Sequence, residues 1–298
     1  MSELKVFHNG NFIPASQPCV SPQDHGILYG DGIFEGIRAY NGRVFKLKQH
    51  IDRLFDSAKM INLKIPCTKP QMMDAVCETL RVNKLTDAYI RLLVTRGEGD
   101  LSIDYSSCKN PTVIIIAKPL PAFADPKGIK AITSSMRRIP ISVFSPNIKS
   151  LNYLNNVLCK MEAKQHGAGE AIILDMNGYV TEGSGDNIFM IKDKVLITPP
   201  HVNGLKGITR DAILHIAQTA SYEIFAIDIR NISIFEVYAA DEVFVTGTAA
   251  ELAPVIELDG RKIGDGKPGM ITLKLQEQFK EYIADKQNGT SIYKEVRQ

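Results

Sequence analysis

The chain has 298 residues, 44% of them hydrophobic and 23% charged, and a formal net charge of +2. This is the composition of a globular protein long enough for two domains, and so small a net charge gives no general attraction to nucleic acid or to membrane surfaces. The five cysteines are scattered without CxxC spacing, the apolar runs are short and the N-terminus lacks a signal-peptide pattern. These features argue against a disulfide framework, a structural zinc site and a membrane span, and they predict a cytoplasmic protein.

Residues 1–118 alternate between strand-like and helix-like patterns and are predicted to form the smaller, N-terminal α/β domain. Two strand-turn-strand patterns, VFHNGNFIP and AYNGRVF, surround an Asn-Gly pair, which favours a type I′ hairpin turn. Apolar spacing then predicts two helices, marked by Ile51, Leu54, Phe55 and Ala58 and by Met72, Met73, Val76 and Leu80. The β-branched stretches AYIRLLVTR and TVIIIAK predict the closing strands.

A proline-rich segment, residues 119–128, is predicted to link this half to a larger C-terminal domain of residues 129–298. Pro119, Pro121 and Pro126 prevent a helix or a central strand from running through the segment. We therefore expect the two domains to be separated there.

The second half begins with a strand-like stretch, KAITSSM, and continues with a helical stripe of Leu151, Leu154, Leu158 and Met161 that ends at Gly167. Another Asn-Gly hairpin follows in EAIILDMNGYVTEG, and then helix-like DAILHIAQTA, strand-like IFAIDI and EVFVTG, a short helix with a Ser233/Glu236 capping box, and an amphipathic helix after Pro268. Hairpins mixed with helices predict an α/β protein of the α+β type, with mixed or antiparallel sheets.

Several common catalytic patterns are missing. The sequence has no HExxH or GxSxG motif, no phosphate loop with the required spacing and no complete dinucleotide fingerprint. Two turns nevertheless suit an anion, because Gly207 and Thr209 lie at a predicted helix start and Gly247 and Thr248 follow a predicted strand. Taken alone, Thr209 could equally be a simple helix cap.

Five separated motifs together give a resemblance that covers nearly the whole chain. They are LYGDGIFEGIRAYNGRVFKLKQHIDRLFDSAKM, PNIKSLNYLNNVLCKMEAKQHG, EAIILDMNGYVTEGSGDNIF, GITRDAI and FVTGTAAEL. The chain resembles the class IV aminotransferases, which have fold type IV and use pyridoxal 5'-phosphate, and FEGIRAY makes it most similar to the branched-chain amino acid aminotransferases. One difference is that Lys149 and Tyr153 are one residue closer together than their counterparts in some members.

The resemblance implies the catalytic groups. Lys149 would hold pyridoxal phosphate as a Schiff base and later carry a proton, which suits a partly buried amine. Glu182 would keep the pyridine nitrogen protonated, and Tyr153 would donate to the phenolate oxygen. From the residues alone, Lys149 could be a solvated loop lysine, Glu182 a surface carboxylate at a hairpin end, and Tyr153 an amphipathic aromatic at a helix start.

The resemblance also implies how the cofactor is held. Arg53 would bind the phosphate through its planar guanidinium, although a solvated helix arginine is the ordinary alternative. The turns at Gly207, Ile208 and Thr209 and at Gly247 and Thr248 would supply backbone N–H groups, with Leu205 packed on the ring face. No metal is implied.

Substrate binding is implied for seven residues: Tyr29, Phe34, Arg38, Tyr89, Arg91, Thr248 and Ala249. Arg38 and Arg91 could instead form salt bridges across a sheet. The implied reaction is ping-pong transamination of leucine, isoleucine or valine with 2-oxoglutarate, by a homodimer or an assembly of dimers. A D-amino acid aminotransferase and an aminodeoxychorismate lyase are the alternatives of the same fold, and FEGIRAY argues against both. A non-catalytic phosphate-ligand binding protein is the alternative of another class.

Overall fold

The computed structural model describes residues 3–17, 20–119, 127–219 and 224–293. The chain forms two compact units: Met1–Pro121, Ile148–Asn152 and Ile283–Gln298 make up the first, and Ala122–Asn147 with Tyr153–Tyr282 make up the second. The division is discontinuous, whereas the sequence suggested one cut at residues 119–128. Most of that predicted linker, residues 120–126, lies outside the described residues, so the linker stays a prediction.

The first unit contains an antiparallel sheet of seven strands within the described residues. The strands are β1 (Lys5–His8), β2 (Asn11–Pro14), β3 (Gly32–Tyr40), β4 (Arg43–Phe45), β5 (Ala88–Thr95), β6 (Thr112–Lys118) and β16 (Gly289–Ser291), in the order β16-β4-β3-β5-β6-β1-β2. The two hairpins of this unit turn as predicted, because Asn9 and Gly10 have φ of 46° and 92°, and Asn41 and Gly42 have φ of 48° and 76°.

Helices α1 (His25–Leu28), α2 (Leu47–Met60) and α3 (Lys69–Val82) belong to the same unit. Helix α3 begins with a capping box in which Thr68 and Gln71 satisfy each other's backbone N–H groups. Both predicted apolar stripes lie in a core formed with β3, β5 and β6, although Phe55 and Met73 are only partly buried. This packing matters for function because it fixes α2 against β3.

The second unit contains a mixed sheet of nine strands, counted over the described residues. They are β7 (Ile129–Arg137), β8 (Glu170–Leu174), β9 (Val180–Gly183), β10 (Asn187–Lys192), β11 (Val195–Thr198), β12 (Ala226–Ile229), β13 (Glu242–Gly247), β14 (Glu251–Leu258) and β15 (Arg261–Lys262). Their order is β12-β11-β10-β13-β14-β7-β8-β9, with β15 paired to β14. The predicted mixture of antiparallel and mixed sheets is therefore confirmed.

The remaining helices are α4 (Leu154–Gln165), α5 (Ile208–Thr219), α6 (Ile234–Tyr238) and α7 (Met270–Ala284), and 3-10 turns occupy Tyr105–Ser107 and Lys286–Asn288. The predicted Ser233/Glu236 capping box at α6 is confirmed. The β8–β9 hairpin differs from the other two, since only Gly178 has a positive φ, of 86°, and the Asp175 carboxylate organises the turn by accepting from Asn177 N–H and Tyr179 N–H. Among the described helices, none has the length and apolarity needed to cross a membrane.

Candidate active site

Lys149 directly precedes Ser150, which forms a single β-bridge with Ile33 of strand β3 inside the first unit. The Lys149 amide donates to Ser57 Oγ at 3.2 Å, and its carbonyl accepts from Phe34 N–H at 2.9 Å. Leu151 N–H donates to Gly32 O at 2.9 Å, so Leu151 belongs to this pairing and not to the helical stripe in which the sequence suggested it. Helix α4 begins only at Leu154, because the chain first has to leave the β3 edge. The backbone of Lys149 is thus held at both its N–H and its carbonyl.

The Lys149 amine lies over an aromatic ring. Its Nζ is 4.6 Å from the centroid of Phe34, close enough for a cation–π interaction. Phe34 points to the same face of the sheet as Gly36 and Arg38, because side chains alternate along β3. The opposite face of β3, with Ile33 and Ile37, packs into the core.

Most of the predicted substrate residues of the first unit gather on that face. Arg38 pairs with Tyr89 and Gly36 pairs with Arg91 in the β3–β5 register. The Tyr89 hydroxyl occupies the space beside Gly36, where a Cβ would come within 2.2 Å of it, and Arg91 donates to this hydroxyl at 3.0 Å. Arg91 also lies 4.7 Å from the Phe34 ring centroid. The structure therefore brings an apolar ring, a hydroxyl and two guanidinium groups onto one surface.

The alternative of a cross-strand salt bridge does not hold for Arg91, which forms no ion pair within the part of the chain that the structure describes. Arg38 is buried and stacks 5.0 Å from the Tyr40 ring centroid. Tyr29 follows helix α1, is partly exposed, and donates its hydroxyl to Leu101 O at 2.5 Å. These contacts show where the three predicted substrate residues lie, without assigning a ligand to them.

Arg53 is not a solvated helix arginine. Its side chain is only 15% exposed, and it binds the buried Glu35 carboxylate through two hydrogen bonds of 2.7 Å, from Nε to Oε1 and from Nη2 to Oε2. His50, one turn earlier on α2, contacts Glu35 Oε2 through Nδ1 at 2.8 Å. Two side chains of α2 therefore meet one carboxylate of β3.

The charges of this cluster can be assigned. Burial raises the pKa of Glu35, but the charge and hydrogen bonds of Arg53, together with His50, outweigh it and hold that pKa at about 2. Burial, with Arg53 and Lys149 nearby, lowers the pKa of His50 in spite of Glu35. His50 is therefore neutral near pH 7, and because an ionised carboxylate only accepts, its Nδ1 carries the proton donated to Glu35.

In the second unit, Glu182 is a buried carboxylate on β9 and not a surface residue. Its Oε1 forms an ion pair with Arg138 Nε at 2.8 Å, and its Oε2 accepts from Leu205 N–H at 2.9 Å. Arg138 is held in turn by Asn156 Oδ1, which accepts from its Nη1 at 3.2 Å. The ion pair compensates a charge that would otherwise be costly to bury.

The turn at Gly207 is held from strand β10. Asn187 Nδ2 donates to Leu205 O at 2.9 Å, and a Cβ at Gly207 would lie 1.9 Å from Asn187 Oδ1, so a larger residue there would displace the Asn187 side chain. Helix α5 begins at Ile208, one residue before the predicted Thr209, and its first helical bond runs from Asp211 N–H to Gly207 O at 3.0 Å. The amides of Ile208 and Thr209 therefore have no acceptor within the helix, as expected at an N-terminus.

The remaining predicted residues also lie in the second unit. Thr248 and Ala249 form the turn between β13 and β14, next to the paired Gly247 and Glu251. A Cβ at Gly247 would lie 2.1 Å from Asp186 Oδ1, so a larger residue there would displace the Asp186 side chain. Tyr153 is the residue directly before helix α4.

Sequence reasoning missed three buried charged or titratable groups at these sites. Glu35 could have been found, because it occupies the core phase of an alternating strand between Ile33 and Ile37. His50 could have been found from its spacing of three residues before Arg53, which puts both on one face of α2. Arg138 gives no such signal, since it is one of two adjacent arginines just beyond a strand end.

The sequence matches the family described as amino-transferase class IV over residues 32–258. The chain belongs to the class IV aminotransferases. It is accordingly an aminotransferase enzyme, and pyridoxal phosphate is the cofactor of this class.

Within the family, the chain is similar in sequence to branched-chain amino acid aminotransferases. It is 53% identical, over 93% of this chain and 96% of the relative, to a putative branched-chain-amino-acid aminotransferase of Methanocaldococcus jannaschii. It is 37% identical, over 92% of this chain and 91% of the relative, to the branched-chain-amino-acid aminotransferase of Escherichia coli K12.

Solved structures agree in fold. The crystal structure of the Escherichia coli branched-chain amino acid aminotransferase matches with a TM-score of 0.93 and 34% identity, covering 98% of this chain and all (100%) of that one. The T.th. branched-chain amino acid aminotransferase complexed with N-(5'-phosphopyridoxyl)-L-glutamate matches with a TM-score of 0.93, 36% identity and the same coverage. The predicted fold type IV and branched-chain aminotransferase family are confirmed.

Proposed function

We propose that this branched-chain amino acid aminotransferase is a cytoplasmic enzyme that transfers the amino group of leucine, isoleucine or valine to 2-oxoglutarate. Two half-reactions would follow each other in a ping-pong sequence, with Lys149 as the Schiff-base lysine. The observation that carries the proposal is Lys149 itself, whose backbone is held by Phe34 and Ser57 and whose amine lies over the Phe34 ring. A solved relative bound to a phosphopyridoxyl-glutamate supports glutamate as one of the amino donors.

The proposed donors match the functional groups of pyridoxal phosphate in their chemistry. Lys149 offers an amine for the aldehyde, Glu182 a carboxylate for the pyridine nitrogen, and Arg53 a guanidinium for the phosphate. Further phosphate contacts would come from backbone N–H groups of Ile208, Thr209 and Thr248, beside Gly207 and Gly247, where a Cβ would meet the side chains of Asn187 and Asp186. Leu205 would pack on the ring, and Tyr153 would donate to the phenolate oxygen.

When bound, the cofactor supplies an electron sink for the bond to the substrate's Cα hydrogen. Lys149 would take the proton from the substrate's Cα and deliver it to the aldehyde carbon of the cofactor. Glu182 holds a proton at the pyridine nitrogen, and Arg138 and Leu205 N–H keep its carboxylate in one orientation. These roles define which side chains act on protons and which only hold the cofactor.

The proposed site accepts an apolar branched chain and a γ-carboxylate in turn. Phe34 and Tyr29 supply apolar surface, while Arg38, Arg91 and the Tyr89 hydroxyl supply cationic and hydrogen-bonding groups. The turn of Thr248 and Ala249 would bind the α-carboxylate through its amides. A panel of amino donors in both stereochemical series tests this reading, and we expect turnover with L-leucine, L-isoleucine, L-valine and L-glutamate. Comparable turnover with D-alanine would instead indicate the D-amino acid aminotransferase.

Replacement of Arg38 by alanine is expected to separate the acidic from the apolar substrates. The KM for glutamate and 2-oxoglutarate should rise far more than the KM for leucine, because a γ-carboxylate left without its cationic partner costs roughly 2–4 kcal/mol in a dry site. Measuring the two half-reactions separately, together with the melting temperature, checks this. Equal losses for glutamate and leucine would mean that Arg38 only stacks on Tyr40 and stabilises the strand.

We also propose that the enzyme is a homodimer or an assembly of dimers, and helix α4 supports this. Its buried face carries the small or polar Asn156, Cys159 and Ala163. The large apolar residues predicted from the helical spacing lie instead on the outer face and are exposed, together with one valine: Leu154, Val157, Leu158 and Met161. An apolar helix face in water is the usual mark of an interface. A second copy of the chain is the proposed occupant.

The double variant Leu154→Glu/Met161→Glu is expected to shift the protein toward a monomer at micromolar concentration. Burying each such side chain stabilises an interface by about 1.5–3 kcal/mol, and a carboxylate in its place reverses the effect. Light scattering after gel filtration measures the mass, and Met60→Glu, which changes an exposed methionine of helix α2, is the matched control. An unchanged oligomer in the double variant would exclude this face.

A further inference from the structure

Glu35 is a charged side chain on the core face of strand β3. It is completely buried, and its neighbours on the same face, Ile33 and Ile37, are also completely buried. An ionised carboxylate in such surroundings is costly unless cations and hydrogen bonds surround it. The folded chain therefore carries Glu35 at a cost that an apolar residue would not have, which calls for a role beyond filling the core.

Helix α2 supplies the compensating groups. His50 and Arg53 are three residues apart and reach the carboxylate from one face of the helix, with three contacts of 2.7 or 2.8 Å. Because Arg53 uses both Nε and Nη2, one whole edge of its planar guanidinium lies against Glu35. The plane of that guanidinium cannot turn without breaking both bonds.

We propose that Glu35, itself held by His50, is a positioning residue that sets the orientation in which Arg53 meets the phosphate of pyridoxal phosphate. The inference rests on the proposed function, in which Arg53 binds that phosphate. With the Nε–Nη2 edge taken up by Glu35, the phosphate approaches a second edge whose direction the carboxylate fixes. Glu35 also brings a negative charge near the anion, so its contribution is geometric and not a matter of net charge.

The protonation of the cluster agrees with this role. The pKa of Glu35 is held at about 2 by Arg53 and His50 against the effect of burial, and burial lowers the pKa of His50. The cluster therefore keeps one carboxylate, one guanidinium and one neutral imidazole throughout the neutral pH range. The orientation of Arg53 does not change with pH there.

A purely structural ion pair is the alternative, and the phosphate group distinguishes the two. Pyridoxal has the same aldehyde and ring as pyridoxal phosphate but no phosphate. The dissociation constant of pyridoxal divided by that of pyridoxal phosphate therefore isolates the phosphate contacts, and this quotient is the ratio used below. Both are measured by titrating the apoprotein and following absorption. For Glu35→Gln we expect a loss of about tenfold to a hundredfold in affinity for pyridoxal phosphate and no change for pyridoxal. Glu78→Gln, which changes a carboxylate paired with Arg81 on the exposed face of α3, is the matched control and should leave the ratio unchanged.

A second pair of variants covers the case in which Glu35→Gln does not fold. His50→Asn keeps a side-chain N–H close to the Nδ1 position and should retain the native ratio, whereas His50→Leu should lower it. Inorganic phosphate should raise the melting temperature of native and His50→Asn apoprotein more than that of His50→Leu. If Glu35→Gln or His50→Leu melts earlier but keeps the native ratio of dissociation constants, or binds pyridoxal phosphate more tightly, the proposal is overturned.

Arg53→Ala separates failure of this inference from failure of the proposed function. If Arg53→Ala alone leaves the ratio unchanged, Arg53 does not bind the phosphate, and both the assignment and the inference built on it are wrong. If Arg53→Ala lowers the ratio and Glu35→Gln does not, only the positioning role is wrong. If the proposal is right, the double variant Glu35→Gln/Arg53→Ala should lose no more affinity for pyridoxal phosphate than Arg53→Ala alone, because the two residues act through one contact.

Discussion

Replacement of Lys149 by alanine is expected to abolish transamination while leaving the fold intact. The backbone contacts to Ser57 and Phe34 do not use the side chain and remain in the variant. The side chain itself contributes a cation–π contact with Phe34, worth about 0.5–1 kcal/mol in an exposed setting. The rate should fall by at least about 10⁴-fold, since one amine serves both as the attachment point and as the proton carrier. Activity assays and the melting temperature measure the two effects.

Borohydride reduction of the protein loaded with pyridoxal phosphate gives an independent result for the same residue. A stable label should appear on the peptide that contains Lys149 and should be missing in Lys149→Ala. Lys64→Ala, an exposed lysine of the same unit, is the control and should keep both label and rate. A label on another lysine would end this mechanism, and no label at all would favour a binding protein without catalysis.

The hairpins and helices were predictable because their signals are local. A type I′ turn requires positive φ at both central residues, and Asn-Gly is a pair that adopts it readily. The structure has positive φ at both residues of the pairs at 9–10 and 41–42. Capping at Ser233 depends on residues only three apart, so it too could be predicted from the sequence. The third hairpin shows the limit of the rule, because the Asp175 side chain imposes a different turn on the same dipeptide.

The placement of Lys149 was not predictable from spacing. Leu151 continues the helical stripe in the sequence, but it flanks a β-bridge between Ser150 and Ile33 of strand β3, and the helix begins only at Leu154. For helix α4, the spacing of large apolar residues predicts an apolar face, but it does not predict which surface that face packs against. Small residues at Cys159 and Ala163 let the other face pack closely on its own sheet.

The buried charged residues also differ in whether the sequence alone reveals them. Glu35 violates the alternation of an apolar strand and can be recognised from the sequence as an exception that needs a partner. Arg138 lies beyond the end of β7, where either of two adjacent arginines could turn inward, and only tertiary contacts with Asn156 and Glu182 select it. Residues whose role depends on a partner distant in sequence therefore become visible only in the fold.

Glu182→Gln is expected to lower turnover by about a hundredfold or more with the cofactor still bound. A neutral amide cannot hold a proton at the pyridine nitrogen, and the loss of a charged hydrogen bond there is worth a few kcal/mol. The structure adds a second effect, because Arg138 loses the carboxylate that compensates its charge. An uncompensated buried charge destabilises a protein by roughly 3–5 kcal/mol, so the variant should also melt earlier.

The two effects separate in the double variant Glu182→Gln/Arg138→Met. Methionine removes the unpaired guanidinium at similar length, so the melting temperature should recover relative to Glu182→Gln alone. Turnover should stay low, because the amide still meets the pyridine nitrogen, while Leu205 N–H keeps an oxygen acceptor in both variants. The comparison needs only the melting temperature and single-turnover rates at saturating pyridoxal phosphate. If turnover recovers together with stability, Glu182 holds the site together and does not control the pyridine proton.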